Sequence, residues 1–171
     1  ADSANERDFT PRNDSGSGMQ DVENVPYIPL TLRAQLRLRG RLPVMEVVEL
    51  GATLCGALHH LHCHGLLHRD VKPSNVILVG GRPKLADIGL VTGFNEAKSF
   101  VGTEGYIPQE GPGTVSADLY ALGKILYEAA TGKDRQDFPE LPDVFRGTSD
   151  GESFAELNEV LLRVCAPTAS Q

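Results

Sequence analysis

The chain has 171 residues and 18.4 kDa, with 16 Lys and Arg against 23 Asp and Glu, a formal net charge of -7 and a pI near 5.2. That acidic balance argues against nucleic acid or another polyanion as partner, and no run approaches the ~18 uninterrupted apolar residues of a membrane-spanning helix. The length suits one domain with a real core, and three cysteines, Cys55, Cys63 and Cys165, are too few and odd in number for a disulfide framework, so a reducing, cytoplasmic setting is expected.

Residues 1–26 mix small, polar and charged side chains without apolar periodicity, and a flexible N-terminal segment is expected there. Gly16-Ser17-Gly18 opens like a phosphate-binding glycine motif, but Asp21 stands where the third glycine belongs, so a linker is the better reading. From residue 27 onward the pattern is mainly α. Thr31 as N-cap and Gly40 as stop predict a short helix over 31–39. Arg33, Arg37, Arg39 and Arg41 crowd this stretch and read as a solvated face. Val47, Leu50, Leu54, Leu58 and Leu61 recur at three- and four-residue steps and predict a core helix over 45–64, stopped by Gly65. Its end carries two i, i+4 pairs, His60/His64 and His59/Cys63, with metal-ligand chemistry. They lie on adjoining parts of the helix surface, and no second cluster closes a tetrahedral site, so helix surface or packing is the expectation.

Val76 to Val79 and Pro83 to Ala86 are apolar runs joined through Gly80-Gly81, which predicts a hairpin over 76–86. Ser116 as cap, five apolar positions at helical spacing and Gly132 as stop predict a buried helix over 116–131. Ser153 and Glu156 form a capping box ahead of a last helix over 153–164.

Between the second helix and the hairpin lies His68-Arg69-Asp70-Val71-Lys72-Pro73-Ser74-Asn75, and the hairpin runs out at Asp87-Ile88-Gly89. One loop thus carries a carboxylate, an ammonium and an amide, and two strands bring a second carboxylate back beside them. Phosphoryl transfer needs such a set. A carboxylate orients an attacking hydroxyl and accepts its proton, a cation meets the charge of the moving phosphoryl group, and oxygen ligands hold Mg²⁺.

The loop resembles the catalytic loop of protein kinases, H-R-D-x-K-x-x-N, and Asp87-Ile88-Gly89 resembles the metal-binding D-F-G. Two further blocks follow in order. Gly102-Thr103-Glu104-Gly105-Tyr106 with Pro108-Gln109-Glu110 is similar to the end of an activation segment, and Asp118-Leu119-Tyr120-Ala121-Leu122-Gly123 resembles the opening of the buried central helix of the C-lobe. The likeness runs from about residue 27 to 165 and is greatest to bacterial Ser/Thr kinases of the eukaryotic-like class. It implies Asp70 as catalytic base, Lys72 on the γ-phosphate of ATP, Asn75 and Asp87 on Mg²⁺, and Thr103 as a tether to the catalytic loop. It also implies a packed core role for His68 and control through a phosphorylated activation segment, with Thr92, Ser99 and Thr103 as candidate hydroxyls. A protein substrate and ATP are the implied partners.

The resemblance is incomplete. No lysine precedes Lys72 and no glycine fingerprint precedes the catalytic loop, so the N-lobe elements over the phosphates are missing from these residues. The stretch from Glu110 to Asp118 is short for the family, and nothing after Arg163 matches the motif whose arginine pairs with the glutamate at position 110. The expectation is therefore a kinase-like C-lobe over 27–171, incomplete at its C-terminal end, weak or inactive alone, with an N-lobe supplied by a longer parent chain. A non-catalytic, pseudokinase-like binding module is the alternative. A small-molecule kinase of the aminoglycoside type shares an H-x-D-x-x-x-x-N loop, but Lys72 and the Thr103 to Glu110 block disfavour it.

Overall fold

The computed structural model describes residues 30–94 and 102–167. The segment expected to be flexible, 1–26, and the candidate hydroxyl of Ser99 lie outside the described residues.

Among the described residues, four α-helices carry the mass. The first, α1 (Leu32–Arg39), starts where Thr31 accepts the Ala34 N–H at 3.1 Å and stops at Gly40, whose φ of 75° suits a residue without a Cβ. Next comes α2 (Val44–Cys63), which buries Val44, Val47, Leu50, Leu54 and Leu58 along one stripe. A short strand, β1 (Leu66–Leu67), then leads into the loop 68–72. The hairpin β2 (Val76–Val79) and β3 (Arg82–Leu85) pairs Val76 with Leu85 and turns through Gly80 and Gly81, both at positive φ. A two-residue strand, β4 (Thr92–Gly93), returns antiparallel to β1, with Leu67 opposite Thr92.

The helix α3 (Val115–Thr131) occupies the centre, with α2 and α4 (Ser149–Val164) both packed on it. Ile125, Tyr127, Ala129 and Ala130 are fully buried, at 0% exposure. Each large apolar side chain buried this way contributes about 1.5–3 kcal/mol. Four polar residues of the helix are buried with them, Asp118, Lys124, Glu128 and Thr131. Lys124 donates to the Arg135 carbonyl at 3.1 Å and lies over the Phe138 ring, and burial pulls its pKa below the ordinary lysine value.

Both later caps differ from the sequence reading. Thr114, not Ser116, caps α3 by accepting the Ala117 N–H at 3.0 Å. Thr148, not Ser153, caps α4 by accepting the Gly151 N–H at 3.0 Å, which places Ser153 inside the helix. Gly151 hides that start because glycine is a poor helix former. It is there for space: a Cβ on it would meet the Phe145 carbonyl oxygen at 1.9 Å. Gly56, on the exposed side of α2, has nothing within 4 Å of its would-be Cβ. Opposite signs are therefore expected from one chemical change. In urea unfolding, Gly151→Ala destabilises by about 1–3 kcal/mol through overpacking, and Gly56→Ala stabilises by roughly 0.5–1 kcal/mol. Equal effects would show that the close approach at Gly151 does not limit packing.

In the arginine-rich stretch Arg37 and Arg39 are exposed, as expected, while Arg33 and Arg41 are half-buried. Arg33 reaches Glu128 at 3.6 Å, Arg39 reaches Glu46 at 2.7 Å and Arg41 reaches Asp150 at 2.7 Å. The partners lie up to 109 positions away, so a local reading cannot see them.

Candidate active site

Asp118, in the first turn of α3 and 1% exposed, organises the loop 68–72 from beneath. Its carboxylate accepts the backbone N–H of His68 at 2.9 Å and of Arg69 at 2.8 Å, and the His62 ring donates to it at 2.9 Å. Those bonds hold Arg69 at φ 67°, a left-handed conformation that costs a non-glycine residue about 1–2 kcal/mol. The His68 ring is fully buried, and its Nε2–H donates to the Ala86 carbonyl at 3.2 Å. With the backbone bent this way, the next side chain, Asp70, is delivered to the centre of a hydrogen-bond ring.

Lys72 Nζ lies 2.6 Å from Asp70 Oδ2 and donates to Thr103 Oγ1 at 3.0 Å. The Thr103 hydroxyl donates to Asp70 Oδ1 at 2.8 Å, so it ties the segment after Gly102 to the loop. Asn75 Nδ2 donates to the Asp70 carbonyl oxygen at 2.9 Å and to Oδ2 at 3.0 Å. Asp70 is 8% exposed. Burial alone would raise its pKa, but the hydrogen bonds from Lys72 and Thr103, the Lys72 charge and the Asn75 amide together hold it below the usual carboxylate value. It is an anion at neutral pH.

Asp87 reaches this ring through the backbone. The N–H of Ala86 donates to the Asn75 carbonyl at 2.8 Å, and Asp87 follows immediately, exposed and at φ 60°. Its carboxylate takes the Gly89 N–H at 3.4 Å, too long for a strong bond. Asp70, Lys72, Asn75 and Thr103 are thus joined by direct bonds, while Asp87 stands at the adjoining edge. Glu110 is elsewhere: it lines a cleft of about 200 Å³ with Tyr120 and Arg163. Thr92 is half-buried in β4, opposite Leu67.

The family model for the protein kinase domain matches residues 26–141. The chain belongs to that family. Curated relatives of this kinase chain include the serine/threonine-protein kinase PknB of Mycobacterium leprae, 31% identical over 137 residues that make up 70% of this chain and 22% of that protein. Serine/threonine-protein kinase 36 of Pongo abelii is 40% identical over 102 residues, 54% of this chain and 8% of that protein. The DNA damage-responsive serine/threonine-protein kinase RqkA of Deinococcus radiodurans is 37% identical over 101 residues, 53% of this chain and 15% of that protein. The chain therefore spans less than a quarter of the length of these relatives. No helix among the described residues is long and apolar enough to cross a membrane.

This kinase chain also carries a polar cluster that local sequence reasoning missed. Tyr106 donates a short hydrogen bond to Glu128, Arg33 donates to the Tyr106 hydroxyl at 2.7 Å, and Arg135 lies over the Tyr106 ring with its carbon 4.8 Å from the centroid. Burial, then the Glu128 carboxylate, push the Tyr106 phenol well above its ordinary pKa. The sequence signals for this cluster are Tyr106 in the block from Gly102 and the crowding of arginines after Thr31. No group of three or more His, Cys, Asp or Glu side chains able to hold a metal occurs among the described residues, and the His59/Cys63 and His60/His64 pairs contact each other along the helix surface.

Proposed function

We propose that residues 27–171 form the C-terminal lobe of a Ser/Thr protein kinase, whose reaction moves the γ-phosphoryl group of Mg·ATP to a protein hydroxyl. One observation carries the reading: Asp70, Lys72, Asn75 and Thr103 close a single ring, with Asp87 one residue beyond the Ala86–Asn75 backbone bond. In it Asp70 is the group that orients the attacking hydroxyl and takes its proton, and Lys72 supplies positive charge where the transferred group passes. The donor chemistry suits a hard cation. Asn75 commits its amide nitrogen to Asp70, which leaves its amide oxygen as the ligating end, and Asp87 offers an exposed carboxylate. Mg²⁺ is held by few protein oxygens plus substrate phosphates, so no larger acidic cluster is required. When bound, it would neutralise charge on the phosphates. The chain's own residues do the rest: Thr103 keeps Lys72 and Asp70 in register, and Asp118 keeps the loop bent.

A second reading rests on the lysines. All five, Lys72, Lys84, Lys98, Lys124 and Lys133, fall at or after the catalytic loop, so no strand lysine for the α- and β-phosphates is present among these residues. Without it the lobe is a kinase-like binding module, or takes its N-lobe from a longer chain.

Calorimetric titration of the 171-residue chain with ATP, with and without Mg²⁺, separates the two. The catalytic reading expects Mg²⁺-dependent binding that Asp87→Asn weakens by about tenfold, or 1.4 kcal/mol. Asp87 is exposed, so the fold survives the change. Absence of binding at millimolar nucleotide would favour the module, and binding indifferent to both Mg²⁺ and Asp87→Asn would remove Asp87 from the metal role.

A further inference from the structure

The exposed side of α2 ends in two ligand-type side chains that the reacting centre does not use. His59 and Cys63 stand one turn apart, both exposed, with Cys63 Sγ 3.4 Å from His59 Nε2. A tetrahedral Zn²⁺ holds sulfur at about 2.3 Å and imidazole nitrogen at about 2.0–2.1 Å, which sets two such ligands about 3.5 Å apart. The pair already stands at the bite of one zinc ion. A cation bound there also faces the negative end of the helix.

The other histidines are engaged differently. His64 donates its Nδ1–H to the His60 carbonyl at 2.7 Å, and the two rings pack with their centroids 4.5 Å apart. His62 is bonded to Asp118, and His68 and Cys165 are buried. All five histidines and all three cysteines fall within the described residues, and no group of three His, Cys, Asp or Glu side chains able to hold a metal occurs among those residues. One chain therefore offers two ligands where a structural zinc site takes four.

A second copy supplies the other two. Copies related by a two-fold axis present the same pair twice, and together they make a Cys₂His₂ tetrahedron. The surface around the pair leaves room for this. Ala52, Gly56, His59 and Cys63 follow one another at steps of four, three and four residues, so they share one exposed stripe of α2. A Cβ on Gly56 would meet nothing within 4 Å. The distance between packed helices is set by the side chains at their contact, and here the turns before the ligands carry small ones.

We propose that His59 and Cys63 are half of a zinc site that joins two copies of this chain through the ends of their α2 helices. Zn²⁺ takes the thiolate, and the thiol proton passes to water. The site stands apart from the nucleotide chemistry and is tested without ATP. Co²⁺ is the probe, because its bond to a thiolate absorbs in the near ultraviolet and a four-coordinate cobalt absorbs strongly in the visible. The reduced 171-residue chain is expected to show both absorptions, saturating at one ion for two chains and bleached by Zn²⁺. Sedimentation velocity with Zn²⁺ should show a dimer that EDTA returns to monomer. His59→Gln and Cys63→Ser, both at exposed positions, should each weaken Co²⁺ binding by about a hundredfold, because losing a group that merely orients a ligand already costs roughly 10–100-fold. Cys55→Ser and His60→Gln, exposed on the same helix, should leave binding unchanged. No thiolate absorption, an equal loss in Cys55→Ser or His60→Gln, saturation at one ion per chain, or an association state indifferent to Zn²⁺ would each overturn the proposal.

Discussion

Asp118→Ala is expected to lower the stability of the fold by about 3–5 kcal/mol in urea unfolding, a large share of the ~5–15 kcal/mol that holds a typical domain together. The carboxylate is 1% exposed and receives three donors, the N–H groups of His68 and Arg69 and the His62 ring. Truncation leaves two buried backbone donors without an acceptor, each costing about 1–3 kcal/mol. It also releases Arg69 from its left-handed backbone, so the turn that presents Asp70 relaxes. Asp118→Asn keeps one acceptor oxygen and should lose about half as much. A loss below about 1 kcal/mol for Asp118→Ala would mean that water replaces the carboxylate and that the loop holds its shape by itself.

That residue shows what a sequence exposes and what it hides. Asp118 belongs to one of the four motif blocks, so its position was legible, but its partners lie 49 to 56 residues away and nothing local names them. The helices over 32–39, 44–63 and 115–131 were legible because burial on one stripe leaves a three- and four-residue period. Their caps were less so, because Thr114 and Ser116 are both hydroxyl residues that can cap a helix. Thr114 is the one whose side chain accepts the Ala117 N–H, and either start leaves Asp118 in the first turn, where it meets the His68 and Arg69 N–H groups. The pair β1 and β4 has two residues in each strand, too few for an alternating pattern to register. Asp70, Lys72, Asn75 and Thr103 were named by motif, and the fold joins them by direct hydrogen bonds. Tyr106 stood in the block from Gly102, but Glu128, Arg33 and Arg135 had no motif. A surface-like run of arginines turned out to hold one member of a buried network because its carboxylate comes from the far end of another helix.

Asp70→Asn should leave the fold intact and lower phosphoryl transfer by roughly 10²–10⁴-fold in any form of the protein that carries out transfer. Asparagine has the same shape and can still receive hydrogen bonds from Lys72 or Thr103, but it cannot take a proton or present two anionic oxygens. The depressed pKa of Asp70 sharpens the expectation. So weak a base does little to activate a hydroxyl in advance. On the proposed reading it does not need to, because in a loose transition state a base in that place would contribute orientation and late acceptance of the proton. Acidification gives an independent readout. The folded-state pKa lies below the unfolded value of about 3.9, so the stabilisation from ionised Asp70 is complete above that value and is lost as pH falls through the folded pKa. The wild-type chain should lose stability below about pH 4 more steeply than Asp70→Asn, whose amide does not titrate. Parallel acid profiles for the two proteins would show that Lys72 and Thr103 do not stabilise the carboxylate. An unchanged transfer rate would take the proton-accepting role away from Asp70.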